Sequence, residues 1–313
     1  MLSIGLEKKH IKKIILFYFL FIFFLCWSII DDYGVTLDDY IYYKNGENTY
    51  LYIKNLFLSL FDNQIDPSKF RANINVYPTV YELFLVFTCE VLNITDFRDI
   101  YLTAHRINFV LFFLSLIVFF IFCQKIFENL FVSLLGVTLI LLSPRIFAES
   151  FYNSRDIFFM CLFIFYLNSM YNFINQKNIK NIVFFSFFTA LILNAKILGY
   201  IPVLIFLVLY LYNFLNTKKK LLKEKKIIFL FLILSCFFIY VLWPYLWDNP
   251  LGNLLFALKN VVKIQQDIIL VNYYFGEYLP SDLVPWHFRI VWFLITTPVI
   301  ILFLFILGLV LFF

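Results

Sequence analysis

Charged residues are scarce in this chain of 313 residues, because Asp, Glu, Lys and Arg together make up 14% of it. A soluble domain has about 25% charged and about 45–50% apolar residues, whereas apolar residues account for 63% here. Many of them lie in long runs, and a run of about 18 or more can cross the hydrocarbon core of a bilayer. This balance excludes an ordinary soluble domain and predicts an all-α polytopic membrane protein.

Several common functional motifs are missing as well. The five cysteines form no CxxC pair, so the sequence predicts neither a zinc site nor a disulfide framework. It also has no glycine-rich nucleotide-binding loop. The net charge is +5, but the basic residues cluster in short connections between apolar runs, which is typical of topology determination and not of nucleic-acid binding.

The apolar runs predict about eight transmembrane helices within a single domain, 1–313. The first run is too long for a signal peptide and lacks an A-x-A-like cleavage site, so we interpret it as an uncleaved span. The last run reaches the final residue, which predicts a truncated C-terminus. The predicted spans are 14–30, 107–123, 130–143, 157–173, 182–198, 200–215, 227–243 and 290–313.

Lysines predict the orientation of these spans. With Lys8 in the cytoplasm, alternation also places Lys125, Lys177 and the run 218–226 there, as the positive-inside rule requires. The segments 31–106 and 244–289 are then external, and the amphipathic stretches 50–61 and 77–91 are expected to lie in the membrane interface. The excess of Phe, Ile, Asn, Lys and Tyr is typical of an AT-rich bacterial genome, so we expect the bacterial inner membrane with a periplasmic external face.

Two adjacent carboxylates, Asp38 and Asp39, follow the first span on the predicted external side. Such a pair could take a proton from an acceptor hydroxyl or help to hold a divalent cation. The alternative is a solvated acidic loop that only marks the membrane boundary. The doublet alone favours that simpler interpretation.

The short external segment 143–156 carries two arginines, against the positive-inside bias. A bound lipid phosphate would explain Arg145 and Arg155, and snorkelling at the membrane surface is the alternative. Asp156 begins the fourth span, where the helix dipole favours a carboxylate. Arg106 and Lys196 lie near external span ends, where an ionisable group is either functional or snorkels to the interface.

Two stretches rich in aromatic residues and proline, 243–251 and 274–288, lie in the second long external segment. Their Pro and Gly residues favour fixed loops over helices. Trp and Tyr are also common at membrane interfaces without any further function.

Taken together, these stretches resemble the multi-spanning glycosyltransferases of the GT-C fold, in the branch that contains protein O-mannosyltransferases and the bacterial aminoarabinose transferase of lipid A. The resemblance is closest to the bacterial dolichyl-phosphate-mannose-protein mannosyltransferase-like proteins. Four features occur in family order: the acidic pair at 38–39, where the family usually has Asp-Glu; Ser-Pro-Arg…Asn-Ser-Arg-Asp at 143–156; Trp-Pro-Tyr-Leu-Trp at 243–247; and Tyr-Phe-Gly-Glu…Pro-Trp-His-Phe at 274–288.

The resemblance implies a helical bundle with interfacial helices in the first external loop. It also implies transfer of a sugar, with inversion, from a polyprenyl-phosphate donor to a protein, lipid or glycan acceptor on the external side. Asp38 would be the general base with Asp39 in support, and Asp156 would orient the acceptor or a metal; the need for a divalent cation stays open. The cations facing the lipid phosphate would be Arg106, Arg145, Arg155 and Lys196, and the residues of the acceptor region or its loop would be Tyr274, Glu277, Trp286 and His287.

Two other classes of protein remain open at the sequence level. A transporter or lipid flippase would place charged or Gly/Pro-broken residues at span centres, often within inverted repeats. Most span centres here are uniformly apolar, and the sequence has no obvious repeat. A non-catalytic subunit of a membrane assembly is the other alternative, since a truncated relative of an enzyme would suit that role.

Overall fold

The computed structural model describes residues 2–36, 38–71, 73–74, 76–216, 221–267 and 271–312. Over these residues it is 78% helical, which confirms the prediction of a helical protein. Two short strands form a hairpin in the second external segment, so the chain is not purely α-helical. Leu37 of the acidic motif and positions 218–220 of the lysine run lie outside the described residues.

Fourteen α-helices and two strands are numbered in chain order over the described residues. The helices are α1 Leu2–Trp27, α2 Asp39–Leu58, α3 Ser68–Arg71, α4 Val80–Val91, α5 Phe97–Phe127, α6 Leu130–Leu141, α7 Pro144–Tyr152, α8 Asp156–Asn175, α9 Ile179–Ala195, α10 Tyr200–Asn216, α11 Leu221–Leu242, α12 Pro250–Asp267, α13 Phe288–Thr296 and α14 Val299–Phe312. The strands are β1 Val271–Tyr274 and β2 Glu277–Pro280, which pair in antiparallel fashion.

Four helices, α1, α5, α8 and α11, are long and apolar enough to cross a membrane. The number rises to six if each of two bent helix pairs, α6–α7 and α13–α14, counts as one span. The sequence predicted about eight transmembrane helices. The other two predicted spans, 182–198 and 200–215, coincide with α9 and α10, which are apolar helices of 17 residues each.

Proline explains both bends. The axes of α6 and α7 differ by 68°, and those of α13 and α14 by 109°. Pro144 and Pro298 lie at these breaks, and proline disrupts a continuing helix because it lacks an N–H and its ring clashes with the preceding turn. The predicted span 290–313 is therefore two helices at an angle, which can still be one broken span. Segment 143–156 contains a helix rather than only a loop.

Two clusters of buried apolar side chains hold the bundle together. The first joins α1, α5, α6, α7 and α8 and includes Phe109, Phe112 and Leu116. The second joins α8 to α9, α10 and α11, where the Phe185 and Phe231 rings stack with centroids 4.7 Å apart. Because α8 contributes to both clusters, it fixes the position of its N-terminal residue, Asp156, relative to both halves of the bundle.

The first long external segment forms a helix pair. Helix α2 packs on α4, and the Thr79 hydroxyl donates a buried 3.0 Å hydrogen bond to Thr49 Oγ1 between them. Gly46 makes this close approach geometrically feasible, since a Cβ added there would lie 2.7 Å from both the carbonyl carbon and the Cβ of Glu82. The predicted amphipathic stretches 50–61 and 77–91 fall largely within these two helices, and their placement in the membrane interface stays a prediction.

We expect Gly46→Ala to destabilise the protein by about 1–3 kcal/mol, because overpacking forces the two helix backbones apart. Alanine is otherwise the better helix former, so loss of stability would identify the contact with Glu82 as the cause. Thermal unfolding in detergent measures the effect. Gly308→Ala in α14 is the matched control, since an added Cβ there meets no atom within 4 Å; equal unfolding temperatures for the two variants would contradict the prediction.

The second long external segment begins with a 3₁₀ turn, Pro244–Leu246, and continues as α12 from Pro250. The sequence predicted fixed loops over 243–251 and 274–288, and α12 begins at the end of the first of these stretches, because proline is well suited to the first turn of a helix. This segment contacts the first one through Arg71, which forms an ion pair with Asp248 and donates a 2.9 Å hydrogen bond to the Tyr245 carbonyl. The two long segments 31–106 and 244–289, which the sequence predicts to be external, are therefore in direct contact.

Candidate functional site

A cavity of about 270 Å³ lies where the start of α2, the turn between α7 and α8, and the end of α9 meet. These elements are far apart in the sequence, and the packing of α8 against α5 and α9 brings them together. Carboxylates and cations line the same small space. The lining residues are Thr36, Asp38, Asp39, Tyr42, Asn153, Ser154, Arg155, Asp156 and Lys196.

The two adjacent carboxylates of this cavity have different environments. Asp39 is the first residue of α2, and its Oδ2 accepts a 2.7 Å hydrogen bond from the backbone N–H of Thr36. Asp38 is exposed, and its Oδ2 accepts only a long 3.4 Å hydrogen bond from the Tyr42 hydroxyl. Asp39 therefore stabilises the entry into α2, whereas Asp38 is the more available carboxylate.

The turn between α7 and α8 is organised by Asn153. Its Oδ1 accepts hydrogen bonds from the backbone N–H groups of Arg155 and Asp156, at 3.2 and 2.9 Å. Its Nδ2 donates to the carboxylates of Asp156 and Glu149, at 3.1 and 3.3 Å. Asp156 also forms an ion pair with Lys196, which follows the last residue of α9. This pair ties the start of α8 to the end of α9 beside the cavity.

Arg155 lies between an acidic and an aromatic side chain. Its Nε is 2.9 Å from Glu82 Oε1, an ionic contact without the alignment of a hydrogen bond. The guanidinium also lies over the Tyr42 ring, 3.8 Å from the centroid, which is a favourable cation–π geometry. Two elements of the first external segment, α2 and α4, thus hold this cation at the edge of the cavity.

Glu82 is only 3% exposed, and burial raises its pKa although the nearby Arg155 guanidinium acts in the opposite direction. Burial likewise raises the pKa of the Tyr42 hydroxyl, with Arg155 again opposing the shift. Tyr42 is therefore a neutral hydrogen-bond donor to Asp38 at physiological pH.

The raised pKa of Glu82 predicts a pH-dependent contribution to stability. A carboxyl group whose pKa is higher in the folded state contributes stability below its ordinary pKa, near 4.5, and this contribution is lost as the pH rises through the folded pKa. We expect Glu82→Gln to raise the unfolding temperature at pH 7 relative to the wild type, and the difference to shrink towards pH 4.5. Thermal unfolding in detergent between these pH values measures it.

Glu90→Gln is the control for that experiment, because Glu90 lies on the same helix, is exposed and pairs with Lys54 only at 3.8 Å. An exposed pair of this kind contributes little, so the unfolding temperature of Glu90→Gln should stay close to that of the wild type. If the difference in unfolding temperature between Glu82→Gln and the wild type did not change with pH, this would contradict the raised pKa of Glu82.

A second and larger cavity, of about 470 Å³, adjoins the acidic one. Its wall is mostly apolar and comes from the segment before α4, the end of α9, and the second external segment. The two cavities share Tyr42, Arg155 and Lys196, so both cations lie between them. The lining residues are Tyr42, Val76, Tyr77, Pro78, Arg155, Leu193, Asn194, Ala195, Lys196, Ile197, Leu198, Tyr200, Trp243, Ala257 and Leu258.

Two of the predicted phosphate-binding cations line neither cavity. The Arg106 guanidinium lies 3.6 Å from Asp31, where both side chains are substantially exposed. Arg145 pairs with Glu149 one turn further along α7, at 2.9 Å. Of the four predicted cations, the structure brings only Arg155 and Lys196 next to the acidic pair.

The four predicted residues of the C-terminal motif form a separate cluster. Tyr274 and Glu277 face each other across the hairpin, and the Tyr274 ring packs near His287, with centroids 5.9 Å apart. Trp286 is 84% exposed. None of the four lines either of the two cavities, so the described geometry does not join them to the acidic pair.

Two residues of the site were not recognised from the sequence. Glu82 is a carboxylate among the apolar residues of the first turns of α4, and a charge buried there needs a partner; this was the signal available. Tyr42 had no comparable signal, because 21 tyrosines occur in the chain and only the fold places this one beneath Arg155.

The site has no evident metal centre. Among the described residues, no group of three or more His, Cys, Asp or Glu side chains converges in a way that could hold a metal ion. Asp38, Asp39 and Asp156 line one cavity, but Asp39 and Asp156 have other partners. The need for a divalent cation therefore stays an open part of the sequence prediction.

Comparisons with known proteins add no assignment. No protein-family model, no curated protein sequence and no solved structure matches the chain. The resemblance to GT-C glycosyltransferases stays a prediction, and the function has to be argued from the geometry of the two cavities.

Proposed function

We propose that this chain is a polytopic membrane glycosyltransferase that moves a sugar from a polyprenyl phosphate to an acceptor hydroxyl on the external side of the bacterial inner membrane. The observation that supports it best is the position of Arg155 and Lys196 between an apolar cavity and an acidic one. A lipid-linked sugar has the same order of parts: an apolar chain, a phosphate and a polar sugar. The two cavities and the cations between them match that order.

In this proposal the first part of the polyprenyl chain occupies the apolar cavity and its phosphate lies at the two cations. The sugar then extends into the acidic cavity. Cleavage of the bond between the anomeric carbon and the phosphate oxygen leaves negative charge on the phosphate, which Arg155 and Lys196 stabilise. The leaving phosphate needs this charge stabilisation more than it needs a proton donor.

Asp38 takes the proton of the acceptor hydroxyl as that oxygen bonds to the anomeric carbon. Inversion requires the acceptor and the departing phosphate to lie on opposite sides of this carbon. A sugar that lies between the cations and Asp38 satisfies this requirement. Asp39 supports the loop that carries Asp38. Asp156 holds Lys196 in place with one oxygen, and its other oxygen, which accepts one hydrogen bond from Asn153, has a second lone pair for the acceptor hydroxyl.

The carboxylate partners of the two cations are consistent with this role. Glu82 and Asp156 keep the Arg155 and Lys196 side chains at the junction of the cavities before a ligand arrives. Asp156 is half exposed and can yield Lys196 to a phosphate, whereas Glu82 is buried beneath Arg155. The phosphodiester of the donor carries one negative charge, as each carboxylate does, and competes for the exposed sides of both cations. The phosphate monoester that leaves has a second ionisation, so the cations stabilise it more than the donor.

Membrane integration is supported by the apolar surface of the helices. Large apolar side chains on α1, α10, α11 and α14 are exposed, and contiguous apolar surface of this extent is unfavourable in water. We propose a cytoplasmic N-terminus and an external site. Fusions of alkaline phosphatase after Asp62 and after Lys180 test this orientation, since the enzyme is active only on the external side: activity after Asp62 alone supports it, and activity after Lys180 alone contradicts it.

Photo-crosslinking tests the proposed ligand. A polyprenyl phosphate with a photoreactive group close to the phosphate would be reacted with the purified protein, and the labelled peptides would be mapped. The proposal expects labelling of segment 193–200 and of the loop at Trp243, with loss of labelling in competition with unmodified polyprenyl phosphate but not with polyprenol. Labelling confined to other membrane-facing helices, or equal competition by the alcohol, would overturn it.

A further inference from the structure

The β1–β2 hairpin has apolar and aromatic side chains on its outer face, where a hairpin in water would have polar ones. Residues alternate between the two faces of a strand, and the inner face holds Tyr274, which is 8% exposed and packs against Phe288. The outer face holds Val271, Tyr273 and Tyr278, all exposed. An antiparallel hairpin usually places polar residues on its solvent face, so this surface calls for a partner.

The tip of the hairpin strengthens this conclusion. Phe275 and Gly276 form the turn, with φ angles of +49° and +93°. Asn or Gly usually occupies the first of these positions, because the left-handed conformation is unfavourable for other residues. Phe275 adopts it with its side chain 80% exposed. Its ring contacts the Tyr274 ring, with centroids 4.4 Å apart, but this contact leaves most of the Phe275 surface exposed.

The exposed aromatic surface continues into an apolar helix pair. Trp286, also strongly exposed, follows the hairpin by six residues and comes just before α13. Helices α13 and α14 together are long and apolar enough to form a bent membrane span. On α13, the side chains of Phe293 and Ile295 are exposed as well. The hairpin thus lies at the point where the chain passes between an external segment and an apolar helix.

We propose that the outer face and tip of this hairpin, Tyr273, Phe275 and Tyr278 together with Trp286, bind the headgroup region of the lipid bilayer. Tyr and Trp have an apolar ring and a polar group, and they are enriched where hydrocarbon meets water. Phe275 at the tip would reach into the acyl boundary. The partner is therefore phospholipid, and the hairpin anchors the second external segment to the membrane surface.

A lipid partner fits better than a sugar or peptide acceptor. The described hairpin residues line neither cavity, so an acceptor bound there would be remote from Asp38. The tip and the outer face are also widely open, since Phe275 is 80% and Tyr278 76% exposed. The outer face of the hairpin is continuous with the exposed apolar surface of α13, and this continuity favours lipid as the partner. This inference depends on membrane integration but not on glycosyltransferase activity.

Fluorescence quenching by lipids tests the proposal. An environment-sensitive fluorophore would be attached to Phe275→Cys and, separately, to Tyr278→Cys, in a background where the exposed native Cys236 is replaced by serine; the other native cysteines are buried. The protein would be reconstituted into phospholipid nanodiscs that contain lipids spin-labelled near the headgroup. Asn63→Cys, at an exposed position between α2 and α3, carries the fluorophore in the control.

We expect the fluorophore at positions 275 and 278 to emit at shorter wavelength and to be quenched several-fold more by the spin-labelled lipid than at position 63. Unchanged thermal unfolding of the labelled proteins would show that the fold persists. Quenching at 275 and 278 no stronger than at 63 would overturn the proposal, and so would emission that responds to an added acceptor but not to the labelled lipid.

Discussion

Asp38→Asn should lower sugar transfer from a lipid-linked donor by about 10²–10⁴-fold, the usual contribution of a general base. Asparagine keeps the size and the hydrogen bond from the Tyr42 hydroxyl, but it cannot take the proton of the acceptor. Because Asp38 is exposed and is not needed for packing, the unfolding temperature should stay the same. The rate of transfer in proteoliposomes, with the acceptor in excess, measures the effect.

Asp39→Asn and Asp32→Asn make this prediction specific. Asp39 accepts a backbone hydrogen bond that an amide oxygen can also accept, so we expect a smaller loss there. Asp32 is an exposed carboxylate in the 3₁₀ turn after α1 and lines neither cavity, so transfer should be unchanged. An Asp38→Asn variant with full transfer activity would remove the base assignment, whereas a wild type without transfer activity would favour a non-catalytic subunit.

Arg155→Gln and Lys196→Gln should each weaken binding of polyprenyl phosphate by roughly 10–100-fold. A hydrogen bond to a charged group contributes about 1.5–3 kcal/mol, and about 1.4 kcal/mol corresponds to a factor of ten in affinity. The ligand-binding affinity of the purified variants in nanodiscs measures the loss. Raising the salt concentration should weaken the wild type more than either variant, because each variant has lost one of the two screened contacts.

Two controls separate phosphate recognition from a general effect of charge. Arg98→Gln removes an exposed cation near the start of α5 and should leave the affinity unchanged. Polyprenol without a phosphate should bind wild type and variants equally, since it contacts only the apolar cavity. If Arg98→Gln weakened binding as much as Arg155→Gln, a diffuse electrostatic attraction would replace the two-cation site.

The sequence alone identified most of the helices. Apolar runs located α1, α5, α8 and α11, because helices of this length and composition are recognisable without any knowledge of tertiary contacts. Bends at Pro144 and Pro298 were harder to predict, since proline can end a span or continue it at a new angle. The hairpin was missed because its turn is Phe275-Gly276 and not one of the usual Asn-Gly or Asp-Gly pairs.

The candidate site was predictable only in part. Asp38, Asp39, Arg155, Asp156 and Lys196 were each singled out by an unusual charge near a span end, and the structure brings these five together. Local sequence could not place Arg106, because its partner Asp31 comes from a distant part of the chain. The pair of Arg145 with Glu149 is local, but it depends on a helix over 144–152 that was not predicted. The two cavities depend on contacts between α2, α4, α8 and α9, and such long-range contacts leave no local pattern.

The most direct test of the central claim is sugar transfer by the purified protein in proteoliposomes. Radiolabelled polyprenyl-phosphate mannose and other lipid-linked sugars would be supplied in turn, and the release of polyprenyl phosphate would be followed with the wild type and Asp38→Asn. The proposed function predicts release from at least one donor by the wild type, with labelled sugar on an acceptor, and little release by Asp38→Asn. Release that is equal for both proteins, or none from any donor by a correctly inserted wild type, would contradict it.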